Sequence, residues 1–225
     1  MELIDKTMLT ALASLIAAFI GAISAFVFND TLEKKREVKI NVDNANSTLV
    51  TIFHMAGVLD FIGGSFVNKY REDAFYWLRM PAQPIYGEKE RCIDISNLSF
   101  LIEFKEPSLL IDIEHLDRSF RQVMDVYRHR LEIFDLHIRP VRDLMIKDLN
   151  SMISHAQSEG VNEINFNLDR YVGAIAMKQY INLTDEMIRL NDKARTDFRD
   201  KMGQLMDTLD ACYPRQRFIK FIFSD

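Results

Sequence analysis

The residues best suited to chemistry crowd into one stretch. Arg118, Arg121, Arg128, His129, Arg130, Arg139 and Arg142 fall within 25 positions. A guanidinium is a planar fork of donors that matches phosphate and carboxylate, so such a row on one helix could hold a phosphate group or a nucleotide signal. The acids interleave at pairing distance, however. Glu114 stands four before Arg118, Asp117 four before Arg121 and Asp135 four before Arg139, the favourable order for ion pairs along a helix. The expected reading is a solvent-facing helix laced with salt bridges, and Arg118, Arg121, Arg128 and Arg139 are the candidate face for a ligand or partner.

Other chemistry is sparse. The histidines (His54, His115, His129, His137 and His155) form no HExxH or H-x3-H pair, and His129 and His137, eight apart, have no nearby cysteine to complete a ligand set. Cys92 and Cys212 lie about 120 residues apart in no CxxC, which fits reduced thiols in a helical core. No serine sits in GxSxG, and neither GxGxxG nor GxxxxGK[ST] occurs. The sequence therefore assigns no catalytic residue, cofactor or metal, and the expectation is a non-enzymatic protein. A net charge of −5 argues against a nucleic-acid binder, which would carry a basic surplus.

The element that would position everything else is the run Thr7–Phe28, which carries no charge and no proline. As a helix it would span about 30 Å of hydrocarbon. Its acidic leader, MELIDK, and its length argue against a cleaved signal peptide. Lys34, Lys35, Arg36 and Lys39 follow it, so by the retention of cations inside, the amino terminus should face out and the rest should be cytoplasmic. The expected plan is an anchor over 1–29 and a helical domain over 30–225, at the cell inner (plasma) membrane. Ala13, Ala17, Gly21 and Ala25 recur every four residues. Small residues at this spacing let two helix backbones approach closely in lipid, so this ridge is the candidate for self-association.

Beyond the anchor the pattern is helical. Val38, Val42, Ala45, Leu49, Ile52, Ala56 and Leu59 mark one face, with a break expected near Asn44–Ser47, where Ser47 could cap a new helix. Leu49–Val67 is apolar nearly all round, interrupted by His54 and Asp60. A second membrane pass is the alternative there, but an ionised Asp at mid-bilayer costs roughly 2.5–3.5 kcal/mol even on the lenient scale. A buried helix ending or kinking at Gly63-Gly64 is preferred. Asn68–Arg79 reads as a short amphipathic helix before Pro81 and Pro84. CIDIS alternates like a strand, whereas SNLSFLIEF could be a helix capped by Ser96. From Leu109 to Leu149 three-four spacing persists, with Pro140 expected to kink the helix near Leu136 and Gly160 suited to its end. A last long helix is expected over Glu163–Cys212, with Leu168, Val172, Ile175, Met187, Asn191, Phe198 and Leu209 inward, antiparallel to the previous one.

After Pro214, Phe218, Phe221 and Phe223 sit among Arg215, Arg217 and Lys220. Basic and aromatic residues together suit a membrane interface or a partner groove; the alternative, preferred here, is a tail packed on the helices near CIDIS. The whole predicts an all-α protein: one transmembrane helix, then a cytoplasmic bundle of four or five helices, two of them long and antiparallel. The layout resembles the small single-pass helical proteins that bacteria use as membrane effectors or scaffolds, including in phage defence, though no diagnostic motif accompanies it. The expected function is a membrane-anchored, oligomerising interaction or effector protein with a cytoplasmic protein partner. The alternatives are a two-pass pore former and a tethered sensor of a phosphorylated ligand, which would use the arginine face or the loop from Arg79 to Arg91.

Overall fold

One helix, α1 (Glu2–Ile62), runs without interruption from the apolar segment into the body of the protein. Its 61 residues make a rod of about 90 Å at 1.5 Å per residue. The computed structural model describes residues 2–85, 92–160, 166–167 and 170–220, and no strand occurs among them. After α1 come α2 (Tyr76–Arg79), α3 (Pro107–Ile133), α4 (Arg142–Glu159) and α5 (Ala174–Cys212). Wider π-helical turns follow α1 (Gly63–Asn68) and α3 (Phe134–Ile138), and a 3-10 helix covers Ile95–Ile102.

The two ends of α1 live in different surroundings. Side chains between Leu12 and Phe28 stand in the open, Phe26 being 74% exposed, and this helix is long and apolar enough to cross a membrane. From Val42 on, the opposite situation holds: Ala45, Leu49, Ile52, Leu59 and Ile62 are fully buried, the face that the three-four spacing marks. The expected break at Asn44–Ser47 does not occur. Burial of Ala45 and Leu49 outweighs the weak helix propensity of the Asn-rich segment. Its polar side chains are used instead: Thr48 and Thr51 donate to the carbonyls of Asn44 and Ser47 four residues back.

Helix α5 lies antiparallel to both long neighbours. Against α3, Lys201 pairs with Asp112 at 2.8 Å, the Phe198 and Phe120 rings lie 6.5 Å apart, and Thr184 meets Arg130 at 2.9 Å. Against α1, Tyr213 bonds Asn41 and Arg195 bonds Asp60. The core has two parts. One joins α1, α3, α5 and the 3-10 helix; the other lies beyond the end of α1 and joins Trp77, Leu78, Phe134, Ile138, Met145 and Tyr180.

Several boundaries differ from expectation. Asn68–Arg79 is not one helix. Residues 69–70 close the turn after α1, and α-helix resumes only over Tyr76–Arg79, because Asp73 turns the chain: its carboxylate accepts from the Phe75 N–H and pairs with Arg79 at 2.9 Å. The CIDIS alternation gives no strand, since Asp94 caps the 3-10 helix by accepting the Ser96 N–H at 3.0 Å. Ser96 itself is not the cap. Among the described residues α5 starts at Ala174, not Glu163. Ile175 is consequently out of phase with Met177, Tyr180 and Thr184, and is 86% exposed; Leu168 lies outside the described residues. The chain does leave the α3 line before Pro140, through the Phe134–Ile138 turn, and Gly160 ends α4 at φ +67°, a left-handed conformation that glycine adopts without strain.

Candidate functional site

Each arginine of the proposed face is already engaged on its own helix. Arg118 pairs with Glu114, Arg121 with Asp117, Arg128 with Asp125 and Arg139 with Asp135, at 2.5 to 2.8 Å. These four are exposed, so they form a salt-bridged surface; the four-residue spacing predicts three of the pairs, and Arg128–Asp125, three apart, is the addition. Asp117 differs from the other acids. It is buried and also accepts the Ile93 N–H at 2.9 Å, tying the chain before the 3-10 helix onto α3.

Arg130 is the exception that sequence reading missed. It belongs to the same run but is 1% exposed. Its guanidinium donates from Nε to Thr184 Oγ1 at 2.9 Å, from Nη1 to the Pro81 carbonyl at 3.2 Å, and from Nη2 to the Met80 carbonyl at 3.2 Å and Tyr180 Oη at 2.7 Å. It also lies over the Tyr180 ring, 4.9 Å from its centroid. All of these acceptors are neutral, and no carboxylate among the described residues pairs with it. Burial lowers its pKa, with the nearby Tyr180 and Tyr127 acting the other way, yet an arginine stays protonated in proteins. A buried cation without a counter-ion is costly. One sequence sign was available: Arg130 has no acid at the three- or four-residue spacing before it, since Val126 and Tyr127 occupy those positions.

Beside Arg130, a cavity of about 280 Å³ opens between the Pro81–Gln83 segment and the junction of α3 with α4. Arg139, Arg142 and Asp143 line it. Arg142 makes no ion pair among the described residues; its donors reach the Leu78 and Arg79 carbonyls at 3.3 and 3.4 Å. The widened turn Phe134–Ile138 brings Arg139 over the Phe134 ring at 5.7 Å.

The remaining candidates separate cleanly. Ala13, Ala17, Gly21 and Ala25 are all exposed. In the tail, Phe218 is buried against Tyr213, whose ring also meets Phe100 and Phe104, while Arg217 is exposed. The Ile219 N–H donates to Asn46 Oδ1 at 2.9 Å and Lys220 pairs with Asp210. The tail is thus packed on the helices as far as Lys220, with Asn41 and Asn46 as its polar seats; Phe221 and Phe223 lie outside the described residues. Asp60, the charge inside the apolar run, pairs with Arg195 at 2.6 Å. Arg195 lies so close over Gly63 that an added Cβ there would fall 2.6 Å from its Nη1. His129 and His137 are both exposed, and no group of three metal-ligating side chains occurs among the described residues. Cys92 is exposed and Cys212 half-buried, neither in a disulfide.

Fold and site together define an all-helical protein built on one long, apolar amino-terminal helix. No family model matches the chain, and neither a curated protein nor a solved structure matches it.

Proposed function

We propose that the chain is a non-enzymatic interaction or effector protein of the inner (plasma) membrane, anchored by α1 with its amino terminus outside. Its four- to five-helix bundle would lie in the cytoplasm and meet a protein partner there. The observation that carries this reading is the continuity of α1. The exposed apolar segment and the core-forming segment are one helix, so a change of packing at either end is transmitted to the other without an intervening flexible joint. The two-pass alternative is less favoured, because Leu49–Val67 turns its buried face onto the core and Asp60 is already paired with Arg195.

Self-association belongs to the same reading, with a second copy as the occupant of α1's open side. On an ideal helix of about 3.6 residues per turn, Gly21 and Ala25 share a side with Val50, Gly57 and Phe61. Val50 and Phe61 are 46% and 50% exposed, and a Cβ at Gly21 or Gly57 would meet nothing within 4 Å. Two copies held in one bilayer with one orientation meet in parallel, which places like positions opposite each other. The test is disulfide cross-linking in native membranes of Gly57→Cys, in a chain also carrying Cys92→Ser and Cys212→Ser. A cross-linked dimer that Gly21→Leu suppresses is expected. Absence of the dimer would remove self-association, and release of the protein by alkaline carbonate would remove the anchor.

A further inference from the structure

We propose that the cavity between the Pro81–Gln83 segment and the α3–α4 junction binds a soluble phosphate-bearing anion through Arg142 and Arg139, with buried Arg130 supplying positive potential behind its wall. Three independent features converge there. Arg130 donates to the Pro81 carbonyl and is enclosed by neutral partners, so its charge is uncompensated locally and its field is weakly screened. Arg142, bonded only to two backbone carbonyls at 3.3 and 3.4 Å among the described residues, keeps donors of its five-donor fork available. Helix α4, 18 residues long, begins at Arg142, and Val141 gives its first turn no side-chain cap, so the positive end of the helix lies at the cavity that Arg142 and Asp143 line. Three cations stand there against two carboxylates: Asp135, which Arg139 already holds, and Asp143. The adjoining π-helical turn, a feature frequent at functional sites, sets Arg139 at the rim.

The cavity, about 280 Å³ and open to solvent, has room for a phosphate group. Its position separates two sources of phosphate. Measured along α1 from Phe28 to Ile62 the core end of the helix is roughly 50 Å from the apolar segment, and the Arg130–Thr184 contact lies further along α5 than the Arg195–Asp60 pair. With α1 anchored as proposed above, lipid headgroups of that bilayer are out of reach and the ligand is soluble. This placement alone rests on the anchoring reading; the site itself does not.

The experiment is thermal unfolding of the full chain in phosphatidylcholine nanodiscs, titrated with sodium phosphate at an ionic strength held constant with chloride. Saturable stabilisation beyond that of chloride is expected. Arg142→Gln and Arg139→Gln should each weaken the apparent phosphate affinity by roughly tenfold or more, the loss of one charge-assisted hydrogen bond. Asp143→Asn, which removes a negative charge from the rim, should strengthen it. Affinity is the readout, so a change in the unliganded melting temperature does not confuse the result, whether from Arg142→Gln or from Arg139→Gln, which removes the pair with Asp135 and the contact over the Phe134 ring. Equal affinity in wild type and both arginine variants, or no effect beyond chloride, would overturn the site. An Arg142-dependent stabilisation produced instead by phosphatidic acid in the disc would overturn the soluble source. None of these readings depends on whether the protein self-associates.

Discussion

Replacing Asn191 with leucine should make this protein more stable. Asn191 is fully buried on the inward face of α5, in the stripe of Met187, Leu190, Ala194 and Phe198, and neither Oδ1 nor Nδ2 has a hydrogen-bond partner among the described residues. Each unsatisfied buried polar atom costs about 1–3 kcal/mol. Leucine has the same branching and the same number of heavy atoms, so it removes both penalties. Its methyl groups are bulkier than the amide, and overpacking takes back about 1–3 kcal/mol. The two orphaned atoms outweigh that term, leaving a net gain of about 2 kcal/mol. For a chain of this length 1 kcal/mol moves the melting temperature by roughly 2–4 °C, so a rise of about 4–8 °C is expected. Far-ultraviolet circular dichroism of the full chain in mild detergent would measure it, with Asn191→Ala as the control that removes the amide but leaves a void. A lower melting temperature for Asn191→Leu than for wild type would refute the reasoning, since it would mean that the amide is satisfied by a group or water held in the core.

Two further predictions follow from the same packing. Burial, joined at Tyr76 by the hydrogen bond to Asp185, pushes the Tyr127 and Tyr76 phenols up to about 12, above the unfolded value near 10. The folded state thus favours the neutral phenols, and their stabilisation should be complete below about pH 10 and disappear as pH rises through about 12; for the buried Tyr127 this is on the order of 2 kcal/mol. Melting temperature measured against pH, alongside phenolate absorbance, would check it, and a flat profile across that window would contradict it. At the tail, Phe218→Ala should cost about 2–4 kcal/mol, toward the lower end for a buried phenylalanine because the site is peripheral, whereas Arg217→Gln should change stability by less than about 0.5 kcal/mol. Equal melting temperatures for the two variants would show that the Phe218–Tyr213 contact does not hold the tail.

What the sequence determined by itself are the features set by the geometry of a single helix. Three-four spacing placed the buried faces of α1 and α3, because residues at that interval share a side of any α-helix. The same rule foretold the Arg118–Glu114, Arg121–Asp117 and Arg139–Asp135 pairs. Pro140 and Gly160 marked breaks because each restricts or frees its own backbone. Tertiary structure alone decided the rest, and in each case the deciding partner is distant in sequence. The Asn44–Ser47 stretch stays helical because Ala45 and Leu49 are buried in the core, and because the returning carboxyl-terminal tail uses Asn41 and Asn46. Asp60 is tolerated in an apolar run because Arg195 of α5 reaches it. Arg130 stands in a run of surface arginines and differs from them in sequence only by lacking an acid three or four residues before it, yet Tyr180, Thr184 and the Met80–Pro81 carbonyls enclose it. Helical periodicity says which residues share a side; only the packing of other segments says which side is covered, and by what chemistry.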